Sequence, residues 1–541
     1  MSKLLWSIDS LIVRGEVMFG FGWVFHPEKS IISLNLNFFS TEMKIISQIK
    51  AEYGKLREDI WKMFTGTPMA LNSGFLLYGA VPRLTKFEFM VLECTLVDGT
   101  VIDLPVPRPS MISIDGLDQA NKRRLLIKQY AIFFKRGLHL VRIGNFTSLF
   151  EKIGRYLRGR PKAFLQNSTE LTILLKQQKY KGLCVILDHD LGGGANQFRE
   201  RLINSLLHND YVALILTFHV PTLTYVVILR GKQINTRYAI SDPSILLSAA
   251  EILNVKNIFY NTGVSFSQPE DIPSFLITLK AKTSANLTVF VHDYFMICPS
   301  HFLLDYEGKF CRIPDLIACK ICLPNNNQGF ATLFAARDMQ MWRSNWSALL
   351  ESSDEIISFS NDSSKILLKS YPSIKANRIS IKPHKINDFS PTFVTIKNID
   401  ALCIGVVGMI GFHKGAQVVK SLASEIRKRN SNIKIIIIGT IEASCDAGIV
   451  QQTGPYKHDD LPRTIERTGI NVILFPSICP ETFSYVVHEL VNLQMPVASF
   501  NFGAPAERLS SYSKGLILNS MEPGTILDQL ISFHQKIYLT K

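Results

Sequence analysis

Apolar and polar positions change rhythm along this chain. Through residue 110, short apolar segments alternate with turns: 7–13, 16–25, 31–38 and 87–97, punctuated by Gly20, Gly22 and Gly99. Val97-Asp98-Gly99 followed by Val101-Ile102 predicts a hairpin, because Asp-Gly tolerates the positive φ of a tight turn. Strands at such spacing predict an antiparallel sandwich. From about residue 180 the rhythm becomes strand, loop, helix. Residues 183–187 form a compact apolar run, and a helix is expected over 197–208 behind a glycine loop. The apolar stretch 211–229 is broken by His219 and Pro221 and reads as two strands. Later come strands at 403–408, 435–438 and 472–475, with helices expected over 416–429, 482–493 and 525–538. Alternating strands and helices predict largely parallel sheets covered on both faces. The expected fold class is α/β: two Rossmann-like domains at 179–395 and 396–541, an all-β sandwich at 1–110 and a basic helical linker at 111–178.

Composition adds a bound and a charge. Several domains are expected of 541 residues. The net charge of +14 favours an anionic partner. It is concentrated: residues 120–162 hold twelve Lys and Arg against the single acid Glu151, a net +11. Apolar and aromatic residues interleave with these cations. A basic amphipathic helix of that kind fits an anionic membrane surface. It equally fits a linker helix with a solvated basic face. No nucleic-acid recognition module is visible, so no nucleic-acid partner is expected. No uninterrupted apolar run reaches the ~20 residues that span a bilayer. The first residues lack an apolar core followed by a small-residue cleavage site. With nine cysteines, an odd number, the expectation is reduced thiols and a cytoplasmic protein.

The densest chemistry lies in residues 475–508. A buried strand runs into Pro-Ser-x-x-Pro-Glu, and Thr482 is placed to cap the next helix. The first-turn amides, about Phe483 to Val486 and including Ser484, then lack partners inside the helix and offer a seat for phosphate. Glu481 stands at the mouth of that seat and Glu489 two turns along. Carboxylates do not bind phosphate, but they accept hydrogen bonds from sugar hydroxyls. A diphosphate seat between two such groups suits a nucleotide sugar; two ordinary solvated glutamates are the plainer reading.

The frame Pro-Glu-Thr-Phe-Ser, His-Glu-Leu, Met-Pro-Val-Ala-Ser and Gly-Ala-Pro-Ala-Glu closely resembles the E-x7-E signature of retaining glycosyltransferases of the GT-B fold, particularly glycosyltransferase family 4. The resemblance implies that Glu481 contacts the donor sugar and Glu489 the nucleotide ribose. It covers roughly residues 180–541. Gly192-Gly193-Gly194 then corresponds to the family's glycine loop near donor phosphate and acceptor, with Gly193 and Gly194 as donor-binding candidates. The spacing is not G-x-G-x-x-G, so a dinucleotide oxidoreductase is unsupported. Lys414 matches the family's Lys-Gly lysine and would neutralise diphosphate. The family's arginine just after that strand is missing; Met409 stands near its place.

Val-His-Asp-Tyr at 291–294, with the Cys-Pro-Ser and Leu-Leu-Asp-Tyr-Glu-Gly-Lys-Phe-Cys segments after it, looks like bacterial O-antigen and rhamnan-type family 4 enzymes. The resemblance makes His292 an active-site residue that positions the sugar. Tyr53-Gly54-Lys55-Leu56-Arg57-Glu58-Asp59 looks like a β module often joined to bacterial polysaccharide glycosyltransferases. No catalytic constellation is seen there.

Cys298, Cys311, Cys319 and Cys322 form the pattern C-x12-C-x7-C-x2-C. Four thiolates can bind Zn²⁺ tetrahedrally, and the last pair has common ligand spacing. Buried free thiols and a disulfide are the alternatives.

The implied function is transfer of a sugar from a nucleotide-sugar donor to a hydroxyl of a bacterial surface polysaccharide or lipid-linked glycan, with retention and with no metal needed for the chemistry. His292 and Glu481 are the catalytic candidates. Lys414, Glu481, Thr482, Phe483, Ser484, Glu489 and the glycine loop are the donor-binding ones. The cytoplasmic protein would then sit peripherally on the inner face of the plasma membrane. The rival is a non-catalytic GT-B scaffold in a polysaccharide assembly or export complex.

Overall fold

Two largely antiparallel sheets open the chain in the computed structural model, which describes residues 4–81, 87–106, 110–111, 163–385, 394–396 and 399–539. Leu5–Arg14 pairs with Val17–Phe25, which pairs with Gly74–Ala80. The second sheet runs Ile45–Lys50, Ile31–Phe39, Phe89–Leu96, Val101–Val106. Burial alternates perfectly along Phe89–Leu96, as a strand with one face on a core requires. Val13, Met18 and Leu77 of one sheet share a core with Leu34, Phe38 and Leu92 of the other. The predicted hairpin is present, with Gly99 at φ +81°. Arg57 of the β-module motif is structural: its half-buried guanidinium reaches Asp9 at 2.8 Å and Asp59 at 2.8 Å. The basic stretch 120–162 lies outside the described residues.

The chain divides into two compact units: Met1–Thr288 with Thr332–Ala336, and Val289–Ala331 with Arg337–Lys541. Beside the sandwich, the first unit contains an α/β sheet ordered Ala163–Leu165, Asn235–Ile240, Thr224–Arg230, Tyr211–His219, Gly182–Leu187, Val255–Tyr260. Every residue of Gly182–Leu187 is buried, as its parallel neighbours on both sides demand. The stretch 211–229 is the expected strand pair, here an antiparallel hairpin through a turn at Val220–Thr222. The helix behind the glycine loop is Gly194–His208, three residues longer at its start than expected. Arg14 donates to the Leu223 carbonyl (3.0 Å) and Tyr78 to the Ser265 carbonyl (2.6 Å), tying sandwich to sheet.

The second unit carries a six-stranded, all-parallel sheet: Val450–Gln452, Lys434–Ile441, Cys403–Ile410, Val472–Phe475, Val497–Phe500, Gly515–Leu518. Numbered along the chain, its strands lie in the order 3-2-1-4-5-6, the doubly wound order. Alternate residues feed opposite cores. Val406, Ile435, Ile437 and Val472 face one layer with Val419 and Leu422. Val407, Ile436, Ile438 and Ile473 face the other with Val487 and Leu490. Pro523–Tyr538, the predicted terminal helix, packs beside Ala416–Lys428 through Ile526, Leu527 and Leu530. The α/β fold class with an N-terminal all-β domain is therefore the one found. The Gly-Ala-Pro-Ala-Glu segment forms a helix, Gly503–Ser510.

Candidate active site

Strand order reverses between Cys403–Ile410 and Val472–Phe475. In a doubly wound sheet, the crevice outside the carboxyl ends at such a reversal is where ligands bind. The two loops leaving those ends are 411–415 and 476–484, and they carry Lys414 and Glu481. Lys414 Nζ lies 2.6 Å from Glu481 Oε1, with side chains 37% and 12% exposed. Burial pulls the Lys414 ammonium down, but the charge and hydrogen bond of Glu481 outweigh it, and the net shift is upward. The loops are wedged together. Gly415 has φ +86°, and a Cβ there would sit 1.9 Å from the Pro476 carbonyl oxygen. Ile478 N donates to the His413 carbonyl (3.1 Å), and the His413 ring stacks on Phe302 at 3.9 Å.

The helix after Glu481 is Tyr485–Asn492, so the expected start at 482 moves three residues on. Ser484, not Thr482, is its cap: the Ser484 hydroxyl accepts from Val487 N at 3.4 Å. The Thr482 hydroxyl is committed elsewhere, donating to the His292 carbonyl at 2.8 Å. That bond brings the His292 segment to the Glu481 loop, a long-range contact that overrides the local capping preference. Tyr485 and Val486 supply the other first-turn amides, for which a helix has no internal acceptors.

Glu489 is buried on this helix, with His458 Nδ1 3.2 Å away. Desolvation raises its pKa above the ordinary glutamate range, against a lowering pull from His458. Glu507, whose role the motif left open, is structural: it accepts from the amides of Asn361 (3.2 Å) and Asp362 (2.7 Å) and so caps the helix Asn361–Ser370. Gly503, at φ +74°, lets its helix start approach Glu481 N to 2.7 Å of where a Cβ would stand, and Ala504 N donates to the Glu481 carbonyl. Met409 is 82% exposed at the end of its strand, and supplies no charge where the resemblance puts an arginine.

His292 belongs to a ring cluster that the sequence did not announce. Its imidazole stacks on Phe359 at 4.4 Å and lies 5.3 Å from His384. His384 in turn meets Phe483 at 4.7 Å and Tyr485 at 5.3 Å, with Nδ1 3.2 Å from the Tyr485 hydroxyl. His384 follows the strand Ile379–Ile381 by three residues. The rule that sites gather at the carboxyl ends of parallel strands would have found it. His458 had no such signal, because only the fold brings it to Glu489.

Gly193 and Gly194 belong to the first unit. Gly192 and Gly193 have φ +91° and +88°, and added Cβ atoms would meet nothing within 4 Å. The loop is held from beneath. Arg199 and Asn196 both donate to Asp188 Oδ2, at 3.0 and 2.9 Å, and Arg237 lies 2.6 Å from Asp190. Asp188 is pushed up by burial, opposed by these partners and by His189.

Cys298, Cys311, Cys319 and Cys322 line one cavity of about 170 Å³. Burial pushes the Cys311 thiol up to about 11 and raises Cys298 and Cys319. All nine cysteines are free thiols. Among the described residues, no three His, Cys, Asp or Glu side chains converge closely enough to hold a metal as they stand. No helix among them is long and apolar enough to cross a membrane.

Residues 393–536 match the family model described as Glycosyl transferases group 1. No curated protein matches the chain. Among solved structures it is similar to the apo form of the lipopolysaccharide outer core galactosyltransferase WaaB, at 12% identity and TM-score 0.42 over 65% of this chain and 90% of that one. It is also similar to Anabaena Alr3699/HepE in complex with UDP and glucose, at 13% identity and TM-score 0.42 over 64% and 89%. A third likeness is to sucrose-phosphate synthase from Thermosynechococcus elongatus, at 11% identity and TM-score 0.44 over 66% and 95%. The part of the chain that holds Lys414, Glu481 and Glu489, with all six strands of its parallel sheet, is thus similar to group 1 glycosyltransferases.

Proposed function

We propose that this chain is a retaining, hexosyl-type glycosyltransferase of the family 4 kind. It moves a sugar from a nucleotide-sugar donor to a hydroxyl of a bacterial surface polysaccharide or lipid-linked glycan. The observation that carries the reading is the Lys414–Glu481 pair at the switch point of a sheet that matches the group 1 glycosyltransferase model. Diphosphate takes Lys414 from Glu481. The freed carboxylate then accepts hydrogen bonds from the donor sugar. Charge developing on the departing diphosphate meets the ammonium and the first-turn amides of Tyr485–Asn492. Glu489 accepts from the ribose, which fixes the donor's orientation. His292, tied to the loop through Thr482, positions the sugar. The loop with Gly193 and Gly194 serves donor phosphate and acceptor. Residues 120–162 would hold the cytoplasmic protein against an anionic membrane surface.

The test is binding and turnover with UDP-, GDP- and dTDP-sugars, for wild type and Glu489→Ala. Saturable binding of one donor, lost in the variant, with slow release of nucleoside diphosphate, supports the reading. A folded protein that binds no donor but floats with anionic vesicles overturns it in favour of the scaffold.

A further inference from the structure

We infer that the cavity lined by Cys298, Cys311, Cys319 and Cys322 is a structural Zn²⁺ site, independent of the proposed chemistry. Four of the nine cysteines fall within 25 residues, and all four face one void. They arrive from three directions. Cys298 closes a turn, donating its amide to the Tyr294 carbonyl at 2.9 Å. Cys311 follows the bridge between Leu304 and Phe310, its amide bonded to the Leu303 carbonyl. Cys319 and Cys322 sit three apart on the helix Leu316–Asn325, hence on one face. Asp315 fixes that helix start by accepting from Ala318 N at 2.8 Å.

The donor set decides the ion. Asp305 also lines the cavity, but its Oδ1 already accepts from the amides of Glu307 and Lys309, and a set of four sulfurs favours a soft or borderline cation in tetrahedral coordination over Mg²⁺ and Ca²⁺. The thiols do not yet converge at bonding distance. Binding has to draw the four side chains together across the void of about 170 Å³ that they line. Binding forms four Zn–S bonds and sends the four thiol protons to solvent. Arg343 also lines the cavity, held by the carbonyls of Ile297 and Ser370, and its charge offsets the anionic cluster. The segment so clamped carries Phe302, whose ring stacks on His413 beside Lys414, so the ion would steady that wall.

The experiment is metal analysis of the full chain purified without chelator from zinc-supplemented medium. Alongside run Cys319→Ser/Cys322→Ser and, as control, Cys403→Ser. About one zinc per chain is expected in wild type and control, and almost none in the double variant. Cobalt substitution should give the intense near-ultraviolet band of thiolate-to-metal charge transfer. If the double variant does not fold, chelation of wild type answers instead: Tm falls and is restored by Zn²⁺ but not Mg²⁺. Wild type with negligible zinc, no cobalt band and no chelator effect overturns the inference. So does a denatured-thiol count below nine that shows a disulfide among these four.

Discussion

Two loops, each between an apolar strand and a helix, invite comparison: 188–193 in the first unit and 411–415 in the second. Both contain glycines at positive φ. In the first, the charges are consumed from below by Arg199 and Arg237, and the glycines face open space. In the second, Gly415 is pressed against Pro476, and Lys414 meets its partner from the neighbouring loop. A glycine loop in sequence is therefore two different devices. One is open, a surface for something to approach. The other is wedged, an aiming device for a single cation.

The sharpest test of that difference is the glycines themselves. Gly415→Ala must displace the Pro476 backbone, so it should cost roughly 3 kcal/mol or more and abolish turnover. Gly193→Ala pays only for its conformation, about 1–2 kcal/mol. Thermal melts of the two variants decide it, and equal losses would erase the distinction. Arg199→Met probes the underside of the first loop. It leaves Asp188 buried with one donor fewer, and should destabilise the chain by about 3 kcal/mol in urea unfolding. A loss well under that would mean Asn196 and water already satisfy the carboxylate.

Lys414→Ala tests the aim of the second loop. Stability should fall by about 1–3 kcal/mol, because Glu481, only 12% exposed, loses its cation, while kcat/KM falls about 100-fold. A large Tm loss with unchanged kcat/KM would make the pair structural. Met409→Arg should work in the opposite direction, restoring a cation at an 82% exposed position and lowering KM for the donor several-fold.

Much of this was legible in the chain. Strand Val472–Phe475 falls where the apolar run between Asn471 and Pro476 puts it. The two-faced burial of the parallel strands follows from their unbroken apolar runs. What escaped depends on partners far away. Thr482 reads as a cap until the His292 carbonyl claims its hydroxyl, 190 residues distant. The strands Ile45–Lys50 and Glu52–Lys55 mix polar and apolar residues too irregularly to stand out, and Gly74–Ala80 is apolar without the alternation that marks a one-faced strand. The strand order that makes Lys414 and Glu481 neighbours is a tertiary fact, and no local period encodes it. Hence the motif named the residues, while their mutual pairing, and the cluster around His384, needed the fold.

Asp188 and Glu489 carry the comparison one step further. Both carboxyls are pushed up by burial, but Asp188 has an arginine and two asparagines, whereas Glu489 has one imidazole. Folding makes the Glu489 carboxyl hold its proton more tightly than in the unfolded chain. Its favourable contribution is therefore complete below the ordinary glutamate pKa, and is lost as pH rises through the raised folded value. Where the group ionises, the single imidazole of His458 offsets only part of the cost of burying its charge. Glu489→Gln should raise Tm by about 1–2 °C at pH 7.5 and leave it unchanged at pH 4, while weakening donor binding. A paired melt and titration reads both. A Tm that falls at pH 7.5 would show instead that His458 and Glu489 are a structural pair. The helix Tyr485–Asn492 would then hold its carboxylate as tightly paired as Asp188 is beneath the first loop.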